Sequence, residues 1–368
     1  MARAAILLII TAQLLFSIGL LMIFNTTAAE IIDRSLETST HTALLKQIGY
    51  GLVGIAAGLV VYRLGYEKLI RYSYPLLICA CLLLVLVFVP GIGMKINGAH
   101  RWLGIAGIPI GQPSEGVKVL LPAAFIYWLS KQNQPVAWKP FLKMLALFSL
   151  PIALILFEPD NGTASIICTL LIVLFFLARI RLLYWALPLL CLLLLGVGAA
   201  SQMPHVRSRL AVYLHPELDL RGKGHQPHQA KIAAGSGKLV GRGLGESLQK
   251  LNYLPEARSD YIAAIYAEET GFVGILLLIA LYMGMASAGL LIALSAQRKD
   301  AFLLAAIVTF LIAIQAFLNL GIVSGLLPSK GMTLPFFSQG GSSLMVNVVC
   351  LFILLDISRK EVNSCARY

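Results

Sequence analysis

The sequence predicts an all-α polytopic membrane protein of about ten transmembrane helices, with a large extracytoplasmic loop between helices 7 and 8. Apolar runs of spanning length recur along the chain. Hydrophobic residues make up 58% of the 368 and charged residues only 12%, against roughly 25% charged in soluble domains. Basic residues collect in alternate connections, as the positive-inside rule requires. Together these exclude an ordinary soluble domain, a disordered chain and a fibrous protein. The whole chain, 1–368, reads as one membrane domain, with 201–261 as the large loop within it.

Arg3 precedes the first apolar run, 4–25, which is long enough to span and has no small-residue cleavage site before the next run. It reads as a retained helix rather than a signal peptide. Further spans are predicted at 44–63, 75–91, 114–131, 142–157, 162–179, 182–200, 262–294, 301–326 and 340–357. The eighth run is too long for one crossing, so its first turns are expected at the interface or beside a cavity. With a cytoplasmic N-terminus, the inner connections carry Arg63, Lys68 and Arg71; Lys131, Lys139 and Lys143; Arg179 and Arg181; and Arg298 and Lys299. The C-terminal tail, with Arg359, Lys360 and Arg367, then also lies inside. All six histidines fall outside. Five of the six cysteines sit in apolar runs, so neither a disulfide framework nor metal-ligand spacing is present.

Two outer segments stand out. Residues 91–113 hold Lys95, His100 and Arg101 between glycines and prolines, and 201–261 is rich in Lys and Arg. In a soluble protein the net charge of +12 would suggest nucleic acid. Here much of it is loop bias, and no nucleic-acid partner is expected. Positive charge outside opposes that bias and favours an anionic ligand at the outer face. The alternative is that a long loop translocates whatever its charge. There is no GxxxxGK[ST], HExxH or GxSxG motif, so ATP-driven transport and serine hydrolysis lose support.

Four constellations offer chemistry. Pro255, Glu256, Arg258, Ser259 and Asp260 precede the eighth run, with Glu268 and Glu269 following inside it. Asp260 is either a general base at the membrane boundary or a helix N-cap, and Glu268 and Glu269 are either functional or structural ion pairs. Arg101, with Gln112, Pro113, Ser114, Glu115 and Lys118, opens the fourth helix. Arg101 and Lys118 either hold a diphosphate, one by its fork and one as a point charge, or act as an interface anchor and a snorkelling lysine. Glu158, Pro159, Asp160, Asn161 and Gly162 are read foremost as a turn with solvated carboxylates. Lys330, Gly331, Met332 and Thr333, then Gly340, Gly341, Ser342 and Ser343, permit close backbone approach or a broken helix beside a cavity. Gln315 and Asn319 add a polar face to the ninth span, of the kind that commonly joins helices.

In combination these segments resemble the SEDS family of bacterial cell-wall proteins, whose branches serve elongation (RodA), division (FtsW) and sporulation. The resemblance covers most of the chain. Its pieces are Asn97-Gly98-Ala99-His100-Arg101-Trp102, Gln112-Pro113-Ser114-Glu115 with Lys118, Pro159-Asp160-Asn161-Gly162-Thr163, Leu254-Pro255-Glu256 with Asp260, and Gly340-Gly341-Ser342-Ser343. Glu158 stands where the family usually has Gln, Arg258 and Ser259 where it has His-Thr, Tyr261 where it has Phe, and Gln339 where it has Tyr. Residues 241–251 look closer to the division branch, although Asn252 sits where that branch often carries Glu.

The resemblance implies a peptidoglycan glycosyltransferase acting on lipid II. Asp260 would be the base for the acceptor hydroxyl. Arg101, Lys118 and Lys330 would hold the diphosphate, with Arg242 and Arg258 secondary, and Glu256, Ser342 and Ser343 would complete the substrate site. No cofactor is required, although a divalent cation, magnesium or manganese, could share the diphosphate. Implied partners are lipid II, undecaprenyl diphosphate, a class B penicillin-binding protein, and other divisome or elongasome membrane proteins. The implied location is the bacterial inner membrane, both termini cytoplasmic and the site on the extracytoplasmic face. A lipid II flippase is the competing class, since it needs the same basic head-group site and apolar groove. A scaffold that only recruits a transpeptidase is a third.

Overall fold

The computed structural model describes residues 1–34, 41–96, 99–105, 108–132, 135–190, 225–251, 254, 257–328 and 331–365. Its helices are α1 (Ala2–Arg34), α2 (His41–Leu64), α3 (Tyr66–Arg71), α4 (Ser73–Leu86), α5 (Pro113–Ser130), α6 (Trp138–Phe157) and α7 (Asn161–Leu177), then α8 (His225–Ser236), α9 (Ile262–Leu294), α10 (Lys299–Val323) and α11 (Gly341–Cys365). Between α4 and α5 lie β1 (Gly93–Ile96), β2 (Ala99–Ile105) and β3 (Ile108–Gly111). Residues 182–190 are also helical; the rest of the predicted seventh span, and 201–224 of the large loop, lie outside the described residues.

Among the described residues, six helices are long and apolar enough to cross a membrane: Ala2–Ala29, His41–Leu64, Trp138–Phe157, Ile262–Leu294, Lys299–Val323 and Gly341–Val362. Ser73–Leu86 and Asn161–Leu177 are shorter apolar helices. Their outward faces are apolar as well. Leu52, Val60, Leu82, Leu277 and Leu291 are each more than half exposed, which water would disfavour and lipid does not. The chain is a multi-pass membrane protein. Inside, Phe175 of α7 packs against Phe125 of α5, tilted, and edge-on against Phe141 of α6, with ring centroids 5.1 and 5.2 Å apart. Gly54 on α2 lets α11 approach until a Cβ there would stand 3.1 Å from the Met345 Cα. Small residues of this kind set helix contacts where no hydrophobic force operates between helices.

Two features differ from the predicted all-α architecture. First, β1, β2 and β3 form a three-stranded antiparallel sheet, with Met94 opposite Trp102 and Leu103 opposite Gly111. Glycines and prolines break helical periodicity there, and alternate apolar residues then suit short strands. Second, α9 is broken at Gly271, whose φ of 69° and ψ of −164° lie outside the helical region. Ile262–Glu269 is wholly buried, whereas Phe272, Val273 and Leu276 are exposed. The long eighth run is therefore a buried half-helix followed by a lipid-type helix.

The break is stitched by the segment after α8. Phe272 N–H donates to Lys238 O at 2.9 Å and Val273 N–H to Leu239 O at 3.2 Å. Arg242 and Gly243 N–H donate to Glu268 and Glu269 O, each at 3.0 Å. These bonds replace the helical ones that Gly271 interrupts, so the backbone stays satisfied inside the bundle.

Candidate active site

Asp260 sits one residue before the N-cap position of α9. That position falls to Tyr261, which makes no side-chain cap bond, rather than to Ser259 or Asp260. The Asp260 backbone is held by Asn319 of α10, whose Nδ2 donates to Asp260 O at 2.9 Å and to Met332 O at 2.6 Å. Gln339 N–H donates to Arg258 O at 3.0 Å. The segments 258–261 and 331–340 thus lie side by side. Gly331 brings the two segments close: a Cβ there would stand 2.9 Å from Asp260 Oδ2, so any larger side chain would displace that carboxylate.

A second cluster adjoins it. Gly162 lies with its missing Cβ 3.6 Å from Asp160 Oδ1 and 3.9 Å from Gly331 O. Asp160 caps α7 by accepting from Thr163 N–H at 3.1 Å and accepts from Gln112 Nε2 at 3.0 Å. Arg101 of β2 spans the turn. Its Nε donates to Glu158 O at 3.3 Å, its Nη2 donates to Pro159 O, and its Nη1 stands 3.8 Å from Asp160. The expected solvated turn is therefore wrong for this site. Glu158 and Asp160 are 0% and 4% exposed, with the Arg101 side chain of β2 reaching across them.

The serines close the circuit. Ser342 Oγ accepts from Gln112 N–H at 2.9 Å. Ser343 Oγ accepts from Thr333 Oγ1 at 2.9 Å and Asn347 Nδ2 at 3.3 Å. Gln47 of α2 brackets the same loop, donating to Ser338 O at 3.0 Å and accepting from Gly340 N–H at 3.3 Å. Three of the four sequence constellations meet the fourth at one end of the bundle.

Other expected residues lie elsewhere. Lys118 is a turn inside α5, only 3% exposed, and bonded to Glu115 at 2.7 Å. Arg242 stands 3.5 Å from the buried Glu268. Glu268 also accepts from Ser247 Oγ at 2.5 Å and from Leu248 and Gln249 N–H at 3.2 and 3.3 Å. Glu269 is held by Lys250 at 2.9 Å and Asn25 at 2.6 Å. Glu268 and Glu269 are structural pairs that fasten the loop after α8. Lys330 and Glu256 lie outside the described residues. Gln47 and Asn25 carry no motif of their own; an amide inside or beside an apolar run is their one signal, whereas Gln112 belongs to the motif that opens α5.

Glu158 differs from the other buried acids. Both carboxyl oxygens lack a hydrogen-bond partner. Burial first, then the neighbouring Asp160, pushes it up to about 8, with Arg101 acting in the opposite direction. Among the described residues, no group of three His, Cys, Asp or Glu side chains could hold a metal ion.

The model of the cell cycle protein family of FtsW, RodA and SpoVE matches residues 5–363. The chain belongs to this family. Among its relatives, the probable peptidoglycan glycosyltransferase FtsW of Trichlorobacter lovleyi is 34% identical over 97% of this chain and 94% of its own length. Stage V sporulation protein E of Bacillus subtilis is 35% identical over 96% of each. A solved chain described under the structural coordination of polymerization and crosslinking by a peptidoglycan synthase complex superposes with TM-score 0.77 and 25% identity, covering 96% of this chain and 97% of its own. The rod shape determining protein RodA of Thermus thermophilus superposes with TM-score 0.69 at 24% identity over 96% of each chain, which supports the fold. In this member of the FtsW/RodA/SpoVE family, then, the Asp260 segment, the 331–343 loop and the Arg101–Asp160 turn form one surface.

Proposed function

We propose that the chain polymerises lipid II into β-1,4 glycan strands, releasing undecaprenyl diphosphate. One observation carries this reading: the Asp260 carboxylate adjoins Gly331, next to the turn in which Arg101 and Asp160 meet. A carboxylate at such a position takes the proton from the acceptor 4-hydroxyl as that oxygen attacks the donor's anomeric carbon. The bond from that carbon to the diphosphate breaks, and direct displacement converts the α-linked donor into a β linkage. The diphosphate is a good leaving group and needs positive charge rather than a general acid.

Arg101, 30% exposed and fixed on backbone carbonyls, and Lys330 supply that charge in this reading. Arg258 lies at its margin, with Glu256, Ser342 and Ser343 contacting the sugars, while Arg242, paired with Glu268, stands apart from it. Lys118, sealed against Glu115, contributes from within the bundle rather than by contact. Among the described residues no three His, Cys, Asp or Glu side chains gather to hold a divalent cation on their own, and no step here passes through one. The likeness to a chain from a peptidoglycan synthase complex supports a class B penicillin-binding protein as partner. The relatives named FtsW support the division branch. Ten spans, an inner-membrane location, cytoplasmic termini and an extracytoplasmic site complete the reading.

The test is lipid II polymerisation in detergent, with and without the transpeptidase. Asp260→Asn should make no strands while keeping the wild-type elution profile; normal polymerisation by that variant would remove Asp260 as the base. Wild-type protein that translocates lipid II in vesicles yet makes no strands with its partner would establish a flippase instead.

A further inference from the structure

We propose that Glu158 is a positioning residue that works as a neutral carboxylic acid beneath the Arg101–Asp160 clasp. The inference rests on the activity proposed above and deepens its site. Glu158 closes α6 at its C-cap, its own N–H bonded back to Leu154 and Ile155 O at 3.2 Å. Its side chain is 0% exposed and neither carboxyl oxygen has a hydrogen-bond partner. An ionised carboxylate without partners in such a place is far costlier than a neutral one.

Among the described residues, the cation that acts on it is Arg101, which is already occupied. Arg101 spends its Nε and Nη2 on the backbone carbonyls of Glu158 and Pro159 and turns its Nη1 toward Asp160. Among the described residues, the charged groups that act on Glu158 are Asp160, the N-cap of α7, and Arg101, from β2. Asp160 is satisfied as a carboxylate by Thr163 N–H, Gln112 Nε2 and Arg101. One guanidinium thus balances one negative charge. A second charge on Glu158 would compete for Arg101 and repel Asp160 at the same time. The two acids two residues apart are therefore held differently, Asp160 bonded at both oxygens and Glu158 bare.

The consequence is an alkaline limit set by this turn. While Glu158 keeps its proton, Arg101 stays over the turn and presents its remaining surface to the diphosphate. When Glu158 loses it, Arg101 is drawn inward and the clasp loosens.

The experiment compares wild type with Glu158→Gln, an uncharged side chain of nearly equal shape. Infrared spectra of the purified protein in detergent, taken without substrate, should show a protonated-acid carbonyl band at neutral pH. That band should titrate away near pH 8 in wild type and be missing from the variant. Lipid II polymerisation should lose several-fold activity over the same range in wild type, while Glu158→Gln matches wild type at neutral pH and keeps its rate above it. The proposal is overturned if the neutral-pH spectra of the two proteins are identical in that region. It is equally overturned if both lose activity together. If neither protein makes strands at any pH, the band still decides the state of Glu158, and the failure falls on the proposed activity.

Discussion

Glu115, Glu268, Glu269 and Asp356 show what a buried acid ordinarily requires in this bundle. Each has a basic partner: Lys118, Arg242, Lys250 and Arg359, at 2.7, 3.5, 2.9 and 2.5 Å. Such pairs are poor sources of net stability but severe liabilities when halved, because the survivor is left charged and alone. Lys118→Met is therefore expected to cost about 3–5 kcal/mol, and Glu115→Gln with Lys118→Met together much less than Lys118→Met alone. Thermal unfolding in detergent measures both, and equal losses for single and double variants would count against the pairing. Glu158 follows the opposite rule, and the sign of its effect follows. Its ordinary value of 4.5 is raised to about 8 in the folded chain. Below the lower value it is neutral in both states and costs nothing. Between the two, the unfolded chain has released a proton that the folded chain keeps, so stability falls as pH rises through that window and levels off above about 8. Glu158→Gln removes the slope. Its melting temperature relative to wild type should climb between about pH 5 and about pH 8.5, and a constant difference would contradict the assignment. The carboxylates themselves were plain in the sequence. Their partners were not, since Lys250 and Asn25 reach Glu269 from segments 19 and 244 residues away.

At the scale of elements, hydropathy located the long helices well because lipid demands apolar length and nothing subtler. Starts and stops in the polar connections were harder. The 33-residue run of α9 was legible as too long for one crossing. Its break at Gly271 was not, because the glycine stands among many, and the bonds that permit it come from Lys238, Leu239, Arg242 and Gly243. The sheet between α4 and α5 escaped for a related reason: strands of four and seven residues leave too short a pattern to read. The stitched break carries its own prediction. Gly241 has φ 86°, and a Cβ there would stand 2.1 Å from Glu269 O. Gly241→Ala must shift backbone against backbone, with an expected cost of about 1–3 kcal/mol or more. Proteolysis should then cut the 237–251 segment faster than in wild type. Gly235→Ala, in α8 with open space around it, is the control and should leave the digestion rate unchanged.

For the whole molecule, two ends of the bundle differ in charge chemistry, and that difference predicts an orientation. One end carries the sheet, the Arg101–Asp160 turn and Asp260. The other carries Glu67, Arg298, Arg359 and Lys360, where Lys360 bonds Glu67 and lies 3.4 Å from Asp356, and Arg298 lies 3.6 Å from Glu67. The cations of this second group belong to the connections that the positive-inside rule assigns to the cytoplasm. Lipid II polymerisation needs the first end outside, where glycan strands are laid down. Orientation and activity are therefore one prediction seen from two sides. Cysteines introduced singly at Lys95 and at Glu246 should react with a membrane-impermeant maleimide on intact cells, whereas one at Arg298 should react only after the membrane is opened. The native cysteines, one of which is exposed at Cys79, are first replaced by alanine or serine so that labelling reports the new site alone. Labelling at Arg298 on intact cells, with none at Lys95, would turn the molecule over and place Asp260 in the cytoplasm. A base there has no strand to extend, and the proposed reaction would fail with it.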